Sequence, residues 1–161
     1  MKIKFSDREV QLKKASLRDS RYCYQLSQRN MSRYKMASRS YTQYKDEFIP
    51  TDVKIIYYKN RRFGYIDFQE KPDGWYLWDM QLSKVLQNKG LGSKLLEYVI
   101  EEVKKQKGSV LKLFVYTKNP AVNLYKKFGF KVVTEKSNSP RLQMQLGVHH
   151  VGARVLRSGR L

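Results

Sequence analysis

Gln87-Asn88-Lys89-Gly90-Leu91-Gly92-Ser93 is the stretch of this chain whose residue types and spacing point most directly to chemistry. An apolar strand pattern, Trp75 to Leu82, runs into it, and a helix pattern leaves it at once. Leu95, Leu96, Val99, Ile100 and Val103 recur at helical spacing, while Glu97, Glu101, Glu102, Lys104 and Lys105 fill the opposite face. A helix that begins at this loop turns its first unbonded N–H groups back into it. Gly90 and Gly92 carry no side chain to hold a ligand off the backbone. A glycine loop at a helix amino terminus makes an anion site, most often for phosphate. The spacing excludes two familiar phosphate loops. No Walker-type run (Gly, four residues, Gly-Lys-Ser/Thr) is present, and Leu95 stands where a dinucleotide fingerprint needs its third glycine. On the glycines alone, an ordinary strand-to-helix turn explains the stretch as well as a ligand site does.

A second motif lies downstream. Val110 to Tyr116 reads as a strand and is followed by a short helix with Asn119 as cap, Pro120 as first residue and Gly129 as stop. Tyr125 falls near the middle of that helix. Taken together, QNKGLG at 87–92 and NPAVNLYKKFGF at 119–130 resemble the GNAT superfamily of N-acetyltransferases. The resemblance spans about residues 8–147, with sharp motifs only from about 75 to 133.

The resemblance implies an α/β (mixed α+β) fold. Its central sheet is mixed and mostly antiparallel, with about six to seven strands and a splayed parallel central pair, flanked by about four helices. It implies acetyl-coenzyme A as cosubstrate, bound along the gap in that pair, and an amine acceptor. Residues 1–147 then form one acetyltransferase domain, and 148–161 a basic, disordered tail. By resemblance, Leu82 and Ser83 offer backbone groups to the pantetheine amides. The N–H groups of Asn88, Lys89, Gly90, Leu91, Gly92 and Ser93 ring the pyrophosphate behind Gln87, the first motif position. Asn119 contacts the coenzyme arm, and Tyr125 stands near its sulfur.

The chemistry so implied is attack of a neutral amine on a thioester. It needs a base for the amine proton, a donor for the carbonyl oxygen and an acid for the departing thiolate. Tyr125 is the candidate acid. Asp79, the only carboxylate on the strand entering the loop, is the candidate base, with an exposed strand-end carboxylate or ion-pair partner as the alternative.

Composition bounds the reading. A chain of 161 residues is one domain by length and large enough for a real core. Apolar runs fall well short of the ~18 residues of a membrane span, and the amino terminus has no signal-peptide pattern. The lone Cys23 allows no internal disulfide and, with no histidine before His149 to activate it, reads as a buried packing residue. A cytoplasmic monomer or homodimer without metal is the expectation. Lys and Arg number 33 against 14 acids, a net +19, with the excess in the first fifty residues and after residue 90. Such charge attracts polyanions, or simply keeps a surface solvated. A second class of function therefore stands beside the enzyme: an RNA- or ribosome-binding protein on a coenzyme-binding scaffold without turnover.

Along the chain, Glu9 to Ala15 reads as a first strand and Ser16 to Asp19 as a capping box opening a helix to about Arg29. Asn30 is expected to cap a second helix with Tyr34, Ala37, Tyr41 and Tyr44 along one side. The resemblance lays these helices over the acceptor site, with one or two of the five tyrosines between 22 and 44 lining it. Val53 to Tyr58, Phe63 to Gln69 and Trp75 to Ser83 form an antiparallel meander. On the middle strand, Phe63, Tyr65 and Asp67 share one face. Phe130 to Glu135 and Leu142 to Leu146 close the sheet around a turn at 137–140.

Overall fold

A computed structural model describes residues 1–34, 39–135 and 139–148. Hairpins form where the chain can reverse in two residues. Lys59 and Asn60 both adopt positive φ, +49° and +60°, the tight turn that joins β3 (Val53–Tyr58) to β4 (Arg61–Lys71). Ser6, also at positive φ, begins the turn between β1 (Lys2–Phe5) and β2 (Arg8–Lys14). β1 is absent from the sequence reading, because four residues with one alternation are too short to stand out from their charged neighbours. It brings the sheet to eight strands.

The capping box forms as expected. Ser16 and Asp19 bond reciprocally across a single 3-10 turn, and α1 runs Ser20–Met31. Asn30 lies inside that helix and caps nothing. The second helix, α2, is Tyr41–Glu47, and Ser40 caps it by accepting from Gln43 N–H. Ala37 lies outside the described residues. After β5 (Gly74–Leu82) come α3 (Leu91–Lys105), β6 (Val110–Tyr116), α4 (Ala121–Lys127), β7 (Lys131–Glu135) and β8 (Arg141–Gly147). The strand order is β1-β2-β3-β4-β5-β6-β8-β7, antiparallel throughout except for β5 beside β6. Residue 148, expected as the first of the basic tail, is packed against the domain. Val148 is buried and its N–H donates to Ser109 O at 2.7 Å, and the rest of the stretch lies outside the described residues.

Alternate residues send the strands' apolar groups to two cores. Ile56, Ile66, Leu77, Leu111 and Met144 pack against the α3 stripe of Leu91, Leu95, Leu96, Val99 and Val103 and against Val122 and Tyr125 of α4. Ile55 and Tyr65, one residue out of phase, pack with Cys23 and Leu26 of α1 and with Phe48. Cys23 is fully buried, and burial pushes its thiol well up, as a packing role requires.

Two irregularities re-aim side chains. One between Ile56 and Tyr57 on the β3–β4 ladder leaves Phe63 unpaired and turns it to the α3 side, away from Tyr65 and Asp67. Another leaves Trp78 as the extra residue of β5, between the pairs Phe68–Leu77 and Asp67–Asp79. The parallel β5–β6 ladder holds only from Trp75–Leu111 to Leu77–Leu113, ending where this second bulge begins. Beyond it the two strands run on unpaired, and the gap between them opens toward Leu82 and Tyr116.

Candidate active site

A cleft of about 1030 Å³ occupies that gap and continues under α1 and α2. At one end sits the glycine loop. Asn88 at φ +57° and Gly90 at φ +82° bend the chain so that α3 starts with Leu91. Among the described residues, none of the backbone N–H groups from Asn88 to Ser93 donates to an acceptor of the chain, and the first helical bond is Lys94 N–H to Gly90 O. Six consecutive donors at a helix amino terminus are a cradle for an anion. Leu91 buries its side chain in the core and so contributes backbone only, while Lys89 is exposed beside it. Gly90 is required by its backbone angle, since a Cβ there would meet nothing within 4 Å. Gly92 is not, for a Cβ would touch only Leu124 at 3.5 Å. Its bareness matters for whatever the cradle holds.

The loop is tied to β5 by side-chain amides. Gln87 Nε2 donates to Leu82 O at 2.7 Å, and Asn30 Nδ2 donates to the same oxygen at 2.9 Å. Both lone pairs of Leu82 O are therefore engaged within the chain. Ser83 N–H is engaged too, donating to Phe63 O at 2.7 Å. Of the backbone groups that the sequence reading offers to an amide ligand, Leu82 O and both groups of Ser83, whose O accepts from Leu86 N–H at 2.9 Å, are engaged within the chain. With Ser83 N–H bonded to β4, strand alternation turns Leu82 N–H and the peptide groups of Met80 to the opposite edge of β5.

Across the gap, Asn119 lines the cleft, and its Oδ1 accepts from Ala121 N–H at 2.9 Å, capping α4. Tyr125 also lines the cleft, its ring packed on Phe130 at 5.7 Å. Burial first, and the nearby Asp79 charge second, push its phenol pKa well up, so the hydroxyl keeps its proton. Gly129 at φ +88° and the Phe130 N–H to Tyr125 O bond end the helix as its sequence predicts.

Asp79 is not an exposed strand-end group, and among the described residues it is not half of an ion pair. It is half-buried, and its carboxylate accepts from Tyr65 Oη, from Gln81 Nε2 at 2.6 Å and from Ser27 Oγ at 3.3 Å. Gln81 is held in turn by Asn30 Nδ2 at 2.9 Å, so one chain of amides links Asp79 to the glycine loop. Burial raises the Asp79 pKa and outweighs the lowering by these three donors.

Three side chains missed in the sequence complete the cleft: Asp67, Trp78 and Asn30. Asp67 sits directly across from Asp79 on β4, and burial, with the Asp79 charge behind it, pushes its carboxyl up to about 7. A signal for the bulge was present, because the core-facing residues Leu77, Met80 and Leu82 are spaced three then two. Of the five tyrosines, Tyr24, Tyr34 and Tyr44 line the cleft. Tyr22 lies under Arg62, and Tyr41 bonds to Ser20. Among the described residues no group of His, Cys, Asp and Glu is arranged to hold a metal ion. No described helix is long and apolar enough to cross a membrane.

No curated protein sequence matches the chain. Solved structures match its fold throughout. Ard1 from Thermoplasma volcanium superimposes with a TM-score of 0.72 at 17% identity, over 88% of this chain and 99% of that one. The PaiA N-acetyltransferase of Thermoplasma acidophilum, solved with coenzyme A, gives 0.70 at 17% over 86% and 98%. The ribosomal-protein-S18-alanine N-acetyltransferase of Escherichia coli gives 0.70 at 19% over 91% and 98%. Residues 26–145 match the family model described as the acetyltransferase (GNAT) domain. With the glycine cradle, the splayed strands and this match, the chain belongs to the GNAT family of acetyltransferases, which use acetyl-coenzyme A.

Proposed function

We propose that the chain transfers the acetyl group of acetyl-coenzyme A to a primary amine, by direct attack within a ternary complex. The observation that carries this reading is one continuous cleft lined by an anion cradle, by half-buried carboxylates and by Tyr125. The unbonded N–H groups from Asn88 to Ser93 fit the pyrophosphate, and the free amide of Asn119 fits the coenzyme arm. Bound acetyl-coenzyme A supplies the thioester, and the chain's own groups handle the protons. Asp79, held by three donors and with a raised pKa, accepts the amine proton more readily than an ordinary aspartate. Tyr125, protonated at neutral pH, donates toward the sulfur. That relatives of the same fold are named N-acetyltransferases supports nitrogen as the acceptor atom.

The test is thiol release from acetyl-coenzyme A across amines, amino acids, peptide amino termini and lysine peptides, with coenzyme binding measured in parallel by calorimetry. Turnover on an amine is the expected result. Tight coenzyme binding with no turnover on any acceptor would refute transfer and favour a coenzyme-binding scaffold for a polyanion.

A further inference from the structure

The amides that join the glycine loop to Asp79 can be satisfied in only one set of orientations. Leu82 O can only accept, so the part of Asn30 aimed at it is Nδ2. The second hydrogen of Nδ2 goes to Gln81 at 2.9 Å, which turns Oε1 to receive it and leaves Nε2 facing Asp79 Oδ1 at 2.6 Å. A main-chain carbonyl at one end and a carboxylate at the other permit no flipped alternative. Gln81 is buried, so breaking this arrangement would strand its polar atoms. Gln87 Nε2 also donates to Leu82 O, so the fixed end of the chain is anchored from the loop as well as from α1.

This arrangement makes the two oxygens of Asp79 unlike. Oδ1 faces an amide N–H, which donates and never accepts. Oδ2 faces the hydroxyls of Tyr65 and Ser27, and a hydroxyl does either. A proton arriving on Oδ2 is met by one hydroxyl turning to accept from it while the other goes on donating. A proton on Oδ1 would instead compete with the Gln81 bond. Ser27 and Asp79 line the cleft, whereas Tyr65 is fully buried, so Oδ2 is approached from the Ser27 side. The ionisable groups that feel the Asp79 charge are Tyr65 and Asp67 of β4, Cys23 of α1, Tyr44 of α2 and Tyr125 of α4. Burial first of all raises each of them. The phenols and the thiol therefore keep their protons at neutral pH, and Asp67, pushed up to about 7, is the member of this group that titrates beside Asp79.

Resting on the acetyl-transfer reading with Asp79 as its base, we propose that Gln81, locked by Asn30, is a positioning residue that reserves Oδ1 of Asp79 and directs the amine proton to Oδ2. As the new N–C bond forms, the amine N–H bond breaks, its proton bonds to Oδ2 and the carboxylate becomes neutral. Donation from Gln81 Nε2 favours the charged carboxylate, so its loss raises the pH at which Asp79 titrates. Activity that needs the carboxylate then fails at a higher pH than in wild type. The experiment follows the carboxyl carbon signals of Asp79 and Asp67 by NMR, and the acid limb of kcat for an amine that is turned over, in wild type, Gln81→Met, Asn30→Leu and the double variant. Gln81→Met keeps the volume and removes the donor, and raises the Asp79 midpoint and the acid limb together by about 1 to 2 pH units. Asn30→Leu frees the Gln81 amide and moves both in the same direction by less. The double variant moves no further than Gln81→Met, because Asn30 acts through Gln81. A packing role alone would leave the Asp79 midpoint in place. An unmoved midpoint in Gln81→Met overturns the proposal, as do single shifts that add in the double variant. Should Gln81→Met not fold, an unmoved midpoint in Asn30→Leu overturns it as well. A moved midpoint with an unmoved acid limb overturns Asp79 as the base and leaves acetyl transfer standing. No thiol release with any amine removes both readings.

Discussion

Removing the charge of Asp67 should stabilise the fold, and the gain should depend on pH. The folded carboxyl titrates at about 7 against an ordinary 3.8, so between these values the folded state holds a proton that the unfolded chain has lost. Stability therefore falls as pH rises from about 4 to about 7, and above that window the full penalty of an ionised, unpartnered carboxylate is present. The whole shift corresponds to about 4 kcal/mol as an upper bound. Partial access of the half-buried Asp67 to cleft water reduces this to about 2 kcal/mol. Asp67→Asn keeps the shape and replaces the charge with an amide able to donate to Asp79. In a chain of this size, thermal unfolding at pH 8 should show the variant melting roughly 4–8 °C above wild type. The gap should shrink as pH is lowered toward 4.5, where the wild-type group is neutral when folded. A gap that stays constant between pH 4.5 and 8, or a variant less stable at pH 8, would refute the reasoning.

Three further outcomes test other parts of the site. Gly92→Glu should cut acetyl-coenzyme A affinity at least tenfold by calorimetry, about 1.4 kcal/mol, through bulk and like charge at the cradle; a folded variant with full affinity would dissociate the loop from the pyrophosphate. Tyr125→Phe keeps the ring packed on Phe130 and should lower kcat toward the low end of the ~10²–10⁴-fold range of general acid catalysis, with KM for acetyl-coenzyme A near wild type. Full kcat would make Tyr125 a packing residue. Around the β3–β4 hairpin, Lys13 of β2 stacks on Tyr57, Lys59 on Tyr58 and Arg62 on Tyr22 of α1 beside a cavity of about 360 Å³, so any RNA affinity seen by fluorescence anisotropy should weaken steeply with salt and with Lys59→Glu/Arg61→Glu. Absence of binding at low salt would leave these cations as a solubility feature.

What was legible in the sequence was what neighbours along the chain decide. The α3 stripe follows from a 3.6-residue period, the α4 boundaries from Asn119, Pro120 and Gly129, and the glycine cradle from its place between a strand and a helix. None of these needs to know which strand lies beside which. The acceptor end is different, because every group in it depends on register. Asp67 and Asp79 become neighbours only because Trp78 is squeezed out of the β4–β5 ladder. Without that bulge a strict alternation would carry Asp79 and Gln81 to the face of Leu77, under α3, and away from Tyr65, Ser27 and Asn30. The same extra residue sits where β5 parts from β6, so the irregularity at the opening of the gap also rotates the carboxylates toward α1 and α2. A two-residue spacing read straight through Trp78 mistakes both effects. Asn30 was misread for a related reason. An asparagine near the end of a helix looks like a cap for the next one, yet its amide is engaged by Gln81 and Leu82 some fifty residues away, partners that only the folded sheet supplies. The glycine cradle is thus written in local spacing, while the carboxylate end of the cleft is written in how two strands are paired.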